Sequence, residues 1–206
     1  MGTDPDLPVP PATARNASPI RDVLTAFLPN AVPADALVLD VASGIGHHCA
    51  VMAAALPRIT WQPSEIDAAG CAAIATRVAA LALPNLRPPV VLDAQDRPWP
   101  VRAANAVLCI NMIHISPWDS TLALFGGAAE ILPSGGWVIT YGPYRFEGDF
   151  DADSNRAFDE SLRARNPAWG IRDVRDLGKA AAAAGFEHRE TWAMPANNHM
   201  LAFRKS

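Results

Sequence analysis

The sequence predicts an α/β fold: a Rossmann-like, seven-stranded, mostly parallel sheet with an antiparallel C-terminal hairpin and helices on both faces. Short apolar runs alternate with helical stretches from residue 36 to residue 141, the pattern of a doubly wound sheet. The first run, Ala36 to Ala42, is almost continuously apolar, as a strand covered on both faces must be. The last two strand segments are joined only by Pro195-Ala196-Asn197-Asn198, too short for a parallel crossover.

Each element follows from local chemistry. Residues 1–14 carry Pro5, Pro8, Pro10 and Pro11 with little to bury, so a disordered leader is expected, followed by one domain over 15–206. Ser18-Pro19 reads as an N-cap and first-turn proline, opening a helix to about Leu28. After the first strand come a helix from His47 to Leu56, a strand from Ile59 to Glu65, and an Ala-rich helix capped by Asp67 and running to Leu81. Pro88 to Asp93 and Ala104 to Asn111 read as the third and fourth strands. Ser116-Pro117 repeats the cap-then-proline pattern ahead of a helix to Leu132, and Pro133-Ser134-Gly135-Gly136 turns into a strand from Trp137 to Tyr141. Residues 143–170 are polar and irregular, with a helix over 154–164, and are long enough to act as a substrate cover. A helix from Val174 to Ala184 stops at Gly185, and strands over 186–194 and 199–204 close the sheet.

Composition narrows the functional classes. With 206 residues, one core is expected; half the residues are hydrophobic, 18% are charged and the net charge is −4. No Lys/Arg run is dense enough to track phosphates, which argues against a nucleic-acid partner. No membrane span or signal peptide is legible, and a cytoplasmic location is expected. Cys49, Cys71 and Cys109 stand apart in apolar surroundings and read as reduced core residues; no metal site is expected.

In a sheet of this kind ligands bind beyond the carboxyl ends of the strands. Directly after the first strand stands Asp40-Val41-Ala42-Ser43-Gly44-Ile45-Gly46. Its glycines allow a tight turn and close approach of a ligand to the backbone. A carboxylate at Asp40 repels pyrophosphate but suits a ligand bearing an ammonium and a sulfonium, which favours S-adenosyl-L-methionine over NAD. Glu65 ends the second strand, where it can accept from both ribose hydroxyls, and Asp93 ends the third, where it can accept from the adenine amino group. Cofactor contacts are therefore expected from Asp40, Ala42, Ser43, Gly44, Gly46, Glu65, Asp93 and Ala94, with His48 beside the turn.

Further motifs carry a resemblance: Val38 to Gly44, Trp61-Gln62-Pro63-Ser64, Cys109 to His114, Tyr141-Gly142-Pro143-Tyr144, Asn166-Pro167 with Trp169 to Asp173, and Met194 to Asn198. Through them the chain, from about Arg15 to Lys205, resembles a methyltransferase-like family long filed as a domain of unknown function, with bacterial and animal members. The resemblance implies the seven-stranded fold of class I methyltransferases and S-adenosyl-L-methionine as cofactor; it implies no substrate. Ala42 stands where the broader methyltransferase pattern has Gly.

Candidates for the acceptor side follow the later strands. His114 has two readings, a general base or a residue bonded to a loop carbonyl. Tyr144 is the second catalytic candidate and, with Tyr141, a candidate wall of the acceptor pocket. Asn111 can bond the cofactor or orient the acceptor; Met112, Trp118, Asn155, Phe158, Trp169 and Asn198 are candidate substrate contacts. Arg15 and Asn16 can reach the methionine carboxylate if the first helix folds over the cofactor. The expected activity is methyl transfer to O, S or N of a small molecule, and a homodimer is left open. The alternatives are a catalytically silent cofactor-binding regulatory module and, further off, an NAD-dependent oxidoreductase, for which Lys179 and Lys205 are the only lysines.

Overall fold

The structure, a computed structural model, describes residues 8–206. The chain runs α1 (Pro11–Ala31), β1 (Leu37–Val41), α2 (His47–Ala55), β2 (Thr60–Glu65), α3 (Ala68–Leu81) and β3 (Val90–Val91). It continues with β4 (Ala106–Ile110), a 3-10 turn (Met112–His114), α4 (Trp118–Ile131) and β5 (Trp137–Gly142). Then come β6 (Tyr144–Phe146), β7 (Asp149–Phe150), α5 (Asp153–Arg165), β8 (Arg172–Asp173), α6 (Val174–Ala183), β9 (Phe186–Met194) and β10 (Asn198–Lys205).

Seven strands form the main sheet in the order β3-β2-β1-β4-β5-β10-β9. All pairs are parallel except those of β10, which runs antiparallel to both β5 and β9. The expected mixed sheet with its closing hairpin is therefore present. The order switches direction between β1 and β4, so the crevice beyond their carboxyl ends is where a ligand would dock. Helices cover both faces: α1 and α2 pack through Ile20, Leu24, Leu28 and Met52 on one side. On the other, α4 and α6 pack through Leu124, Phe125, Leu177 and Ala181.

Several boundaries differ from expectation. The leader expected over 1–14 lies outside the described residues up to Leu7, and Pro11–Ala14 already belong to α1. The helix opens at Pro11 behind Pro10, without a side-chain cap, and not at Ser18-Pro19; Pro19 and Pro29 fall inside it. Ser18 Oγ accepts from Arg21 Nη2 at 2.8 Å and caps nothing. Interior proline costs a helix about 3 kcal/mol. Here Ile20, Leu24 and Leu28, all fully buried at helical spacing, hold the helix across it. The third strand shrinks to two residues, because Pro88 and Pro89 cannot donate to a ladder.

The 143–170 segment contains more order than its composition suggests. A small sheet, β7-β6-β8, frames α5. In the first turn of α5, Asn155 Nδ2 donates to Asn197 O at 2.9 Å, tying the helix to the β9–β10 turn.

Leu24→Ala on α1 is expected to lower unfolding stability by about 2–5 kcal/mol, read as a reduced midpoint in urea.

Candidate active site

The turn after β1 is bound to the end of β2. Ser43 N–H donates to Ser64 O at 2.8 Å, and Ser43 Oγ accepts from Ser64 N at 3.1 Å. The same hydroxyl donates to Asp40 O at 3.0 Å, so Ser43 is engaged within the turn. Ala42 adopts φ +58°, a left-handed conformation that costs alanine about 1–2 kcal/mol.

Glu65 spans the gap between strands: its Oε2 accepts from Gly44 N and its Oε1 from Ile66 N, each at 2.8 Å. Gly70 makes room for this carboxylate, since a Cβ there would overlap Glu65 Cγ. Asp67, the rival acid, caps α3 by accepting from Gly70 N at 2.7 Å.

Asp40 is 1% exposed, and its Oδ2 has no hydrogen-bond partner among the described residues. Burial lifts its pKa to about 7; the Ser43 hydrogen bond pulls it down and the nearby Glu65 charge pushes it up further. A buried acid in this state is stabilised in its ionised form by any cation brought beside it.

Two cavities open at this edge of the sheet. The first, about 290 Å³, is lined by Val41, Ala42, Gly44, Glu65, Asp93 and Ala94 among others. Among the described residues no Lys, Arg or His lines it. The second, about 550 Å³, is lined by Arg15, Asn16, Asn111, His114, Asn155 and Phe158, with Asn198 at its hairpin wall. Ile115 lines both and joins them. Met112, expected to contact the acceptor, lines the first cavity and not the second. Ile66, Ile115 and Phe158, each more than 40% exposed, are large apolar side chains left facing these cavities.

His114 is 1% exposed. Gly142 leaves space for it: a Cβ on that glycine would overlap the imidazole Nε2. Arg172 N–H lies 3.4 Å from Nδ1. Nε2 itself is buried without a partner among the described residues. Burial, then the positive charge of Arg172, lowers the pKa to about 3, while a Gly170 hydrogen bond and Asp159 oppose that shift. His114 is therefore neutral at physiological pH, and so weakly basic an imidazole is poorly matched to general-base work there.

Other expected contacts lie elsewhere. Tyr144 is fully buried in the core, donates to Thr140 Oγ1 at 2.8 Å, and packs edge-on to His114 with ring centroids 5.0 Å apart. Burial raises its pKa, so it supports His114 and does not line the pocket. Tyr141 is also buried; its hydroxyl lacks a partner among the described residues, and its pKa is pushed up to about 12 by burial against the opposing charge of Arg15. Trp118 lines a separate cavity under the Arg172 guanidinium, 5.6 Å from its ring centre. Trp169 is covered by Arg165 at 5.5 Å and lines neither site cavity, because Asn166-Pro167 carries it past α5. His48 is buried on α2 with its pKa lowered to about 4 by burial and by His47, and it lines neither cavity. Gly46 begins α2 beneath the turn, where a Cβ would meet Ile74 Cγ2 at 2.9 Å. Sequence reasoning missed Gly70, Ile66 and Ile115; the apolar residue directly after each strand-end acid or turn was the available signal.

The sheet order and the crevice at its switch point define a Rossmann-like α/β protein of the methyltransferase architecture. The chain belongs to the family described as a protein of unknown function (DUF938), whose model matches residues 8–205. Its fold is similar to that of an O-methyltransferase family protein from Burkholderia thailandensis, with a TM-score of 0.77 and 17% identity over 95% of this chain and 57% of that one. TnmH matches with a TM-score of 0.77 and 22% identity over 95% and 56%. The mitomycin 7-O-methyltransferase MmcR matches with 0.77 and 13% over 95% and 55%. The chain thus spans a little over half the length of these proteins, and at such identities the likeness is one of fold.

The elevated pKa makes Asp40 a liability without a ligand. Its stabilising contribution is present below the unfolded value near 4 and is lost as pH rises through about 7. The melting temperature of Asp40→Asn relative to the native protein is therefore expected to increase from pH 5 to pH 8. A difference that is flat with pH would contradict the assignment.

Proposed function

We propose that this chain is an S-adenosyl-L-methionine-dependent methyltransferase acting on oxygen, sulfur or nitrogen of a small molecule. The observation that carries this reading is the charge of the first cavity. Glu65 and Asp93 line it, Asp40 immediately precedes its lining residues Val41 and Ala42, and among the described residues no cation lines it. A pyrophosphate would meet only like charge there, whereas a cationic nucleoside would be attracted.

Bound in this cavity, the cofactor would supply an electrophilic methyl group. Each oxygen of Glu65 already accepts one backbone N–H and retains capacity for a ribose hydroxyl. Asp93 accepts from Gln95 N at 2.9 Å through Oδ1, leaving Oδ2 for the adenine amino group. Ile66 offers an apolar surface to the base. Arg15 forms no ion pair among the described residues and, with Asn16, would hold the methionine carboxylate. Asn111, held at φ +64° with its N–H on Tyr141 O at 2.8 Å, projects from the end of β4 between the two ligands.

The second cavity would take the acceptor. Its described lining contains no carboxylate, and His114 stays neutral there. Catalysis would then rest on alignment and water exclusion, which can supply several kcal/mol without a base. Such a site favours acceptors that are ionised before they bind. The oxidoreductase alternative has little support: Lys179 pairs with Asp176, and Lys205 donates to the carbonyls of Ala129 and Leu132.

Calorimetric titration with S-adenosyl-L-methionine is expected to show one-site binding that NAD does not reproduce, and Glu65→Ala is expected to weaken it roughly tenfold or more. Binding of NAD alone would overturn the proposal. Labelled-methyl transfer into a mixed metabolite pool then separates an enzyme from a silent cofactor-binding module, which would bind and leave every metabolite unlabelled. With an acceptor in hand, His114→Phe is expected to lower kcat/KM roughly a hundredfold with cofactor affinity unchanged. The native pH profile should show no inflection from His114 between pH 5 and 9, because its pKa lies near 3.

A further inference from the structure

A third cavity, of about 520 Å³, lies between α4, α6 and the β6–β8 strand pair. It shares no lining residue with the two site cavities. Arg145, Arg163, Arg172 and Lys179 face it, against Asp173 and Asp176. Their compensation is uneven. Arg163 Nε pairs with Asp159 at 2.7 Å, and Lys179 with Asp176 at 3.0 Å. Asp173 accepts from Gly148 N at 2.6 Å and from Arg175 N at 2.9 Å, so both its oxygens serve backbone groups.

Arg172 and Arg145 are left without carboxylates. Arg172 donates through Nε and Nη2 to the carbonyls of Ile113, Ser116 and Ala168. Arg145 forms no ion pair among the described residues, and its Nε is buried with no hydrogen-bond partner there. Burial lowers the Arg172 pKa, and so does the neighbouring charge of Arg163; Asp159 opposes them and Arg145 adds to the crowding. Clustered guanidiniums with an unsatisfied buried N–H are the donor set that binds an oxyanion. The opposite wall is apolar: Ala180, Ala183 and Leu122, the last 44% exposed.

We propose that this cavity is a second binding site, for a small organic anion. A phosphate, sulfate or carboxylate head would bond Arg145 and Arg172, and an apolar body would cover Leu122 and Ala180. The site's lining residues are distinct from those of the nucleoside cavity, and Arg172 reaches that cavity's wall through Ser116 O.

Phenyl phosphate and inorganic phosphate serve as probes, titrated calorimetrically into the full chain at low ionic strength. Phenyl phosphate is expected to bind at one saturable site, about fivefold or more tighter than inorganic phosphate, and to weaken as salt is added. Leu122→Glu places a negative charge at an exposed position on the wall and is expected to weaken binding about tenfold or more, with the melting temperature unchanged. Arg145→Gln is the second variant and is expected to act in the same direction. Arg15→Gln, which alters only the other cavity, is expected to leave phenyl phosphate binding as it was. The proposal is overturned by absence of saturable binding, or by loss of binding in Arg15→Gln with retention in Leu122→Glu. Equal affinities for the two probes would overturn the assignment of the apolar wall.

Discussion

A carboxylate buried at the end of β1 is the constraint on which the rest of this molecule turns. Asp40 is almost wholly removed from solvent, and one of its oxygens meets no donor among the described residues. Ionising such a group in a dry site costs several kcal/mol unless a counter-charge arrives. Among the described residues none lines the adjoining cavity, where Glu65 and Asp93 add negative charge. The strain is local and sits next to the turn that opens the crevice, where a cationic ligand would relieve it.

The scaffold fixes this arrangement through volume as much as through bonds. Gly70 yields the space in which Glu65 can clasp Gly44 and Ile66, and Gly142 yields the space in which His114 stands upright against Tyr144. Both side chains are held before any ligand binds, which reduces the ordering cost at the moment of binding. The acceptor side is built differently. There α5 leans on the β9–β10 turn through Asn155 and Asn197, and the cavity wall is polar and amide-rich.

Much of this was legible in the sequence because it is local. The strand runs, the acids that end β2 and β3, and the hairpin joining β9 to β10 each follow from spacing within a few residues. The misreadings arose where the deciding partner is remote. Ser18-Pro19 carries a helix-start signature, but the burial of Ile20, Leu24 and Leu28 against the sheet overrides it. The low basicity of His114 comes from burial and from the charge of Arg172, 58 residues away, and no spacing rule connects them. Trp118 and Trp169 sit in segments whose direction depends on packing around Arg172 and Arg165, so their side chains turn away from the cavities. Gly70 and Gly142 were invisible for the same reason: what they make room for comes from another element or a distant loop.

The acid-lined crevice is suited to a cationic nucleoside. A crystal structure of the chain grown with S-adenosyl-L-methionine tests this. The account requires the ribose hydroxyls on Glu65, the adenine amino group on Asp93, and the amino-acid end reaching toward Arg15 and Asn16. Electron density for the nucleoside at any other location, with the space between Glu65 and Asp93 holding solvent alone, would contradict it.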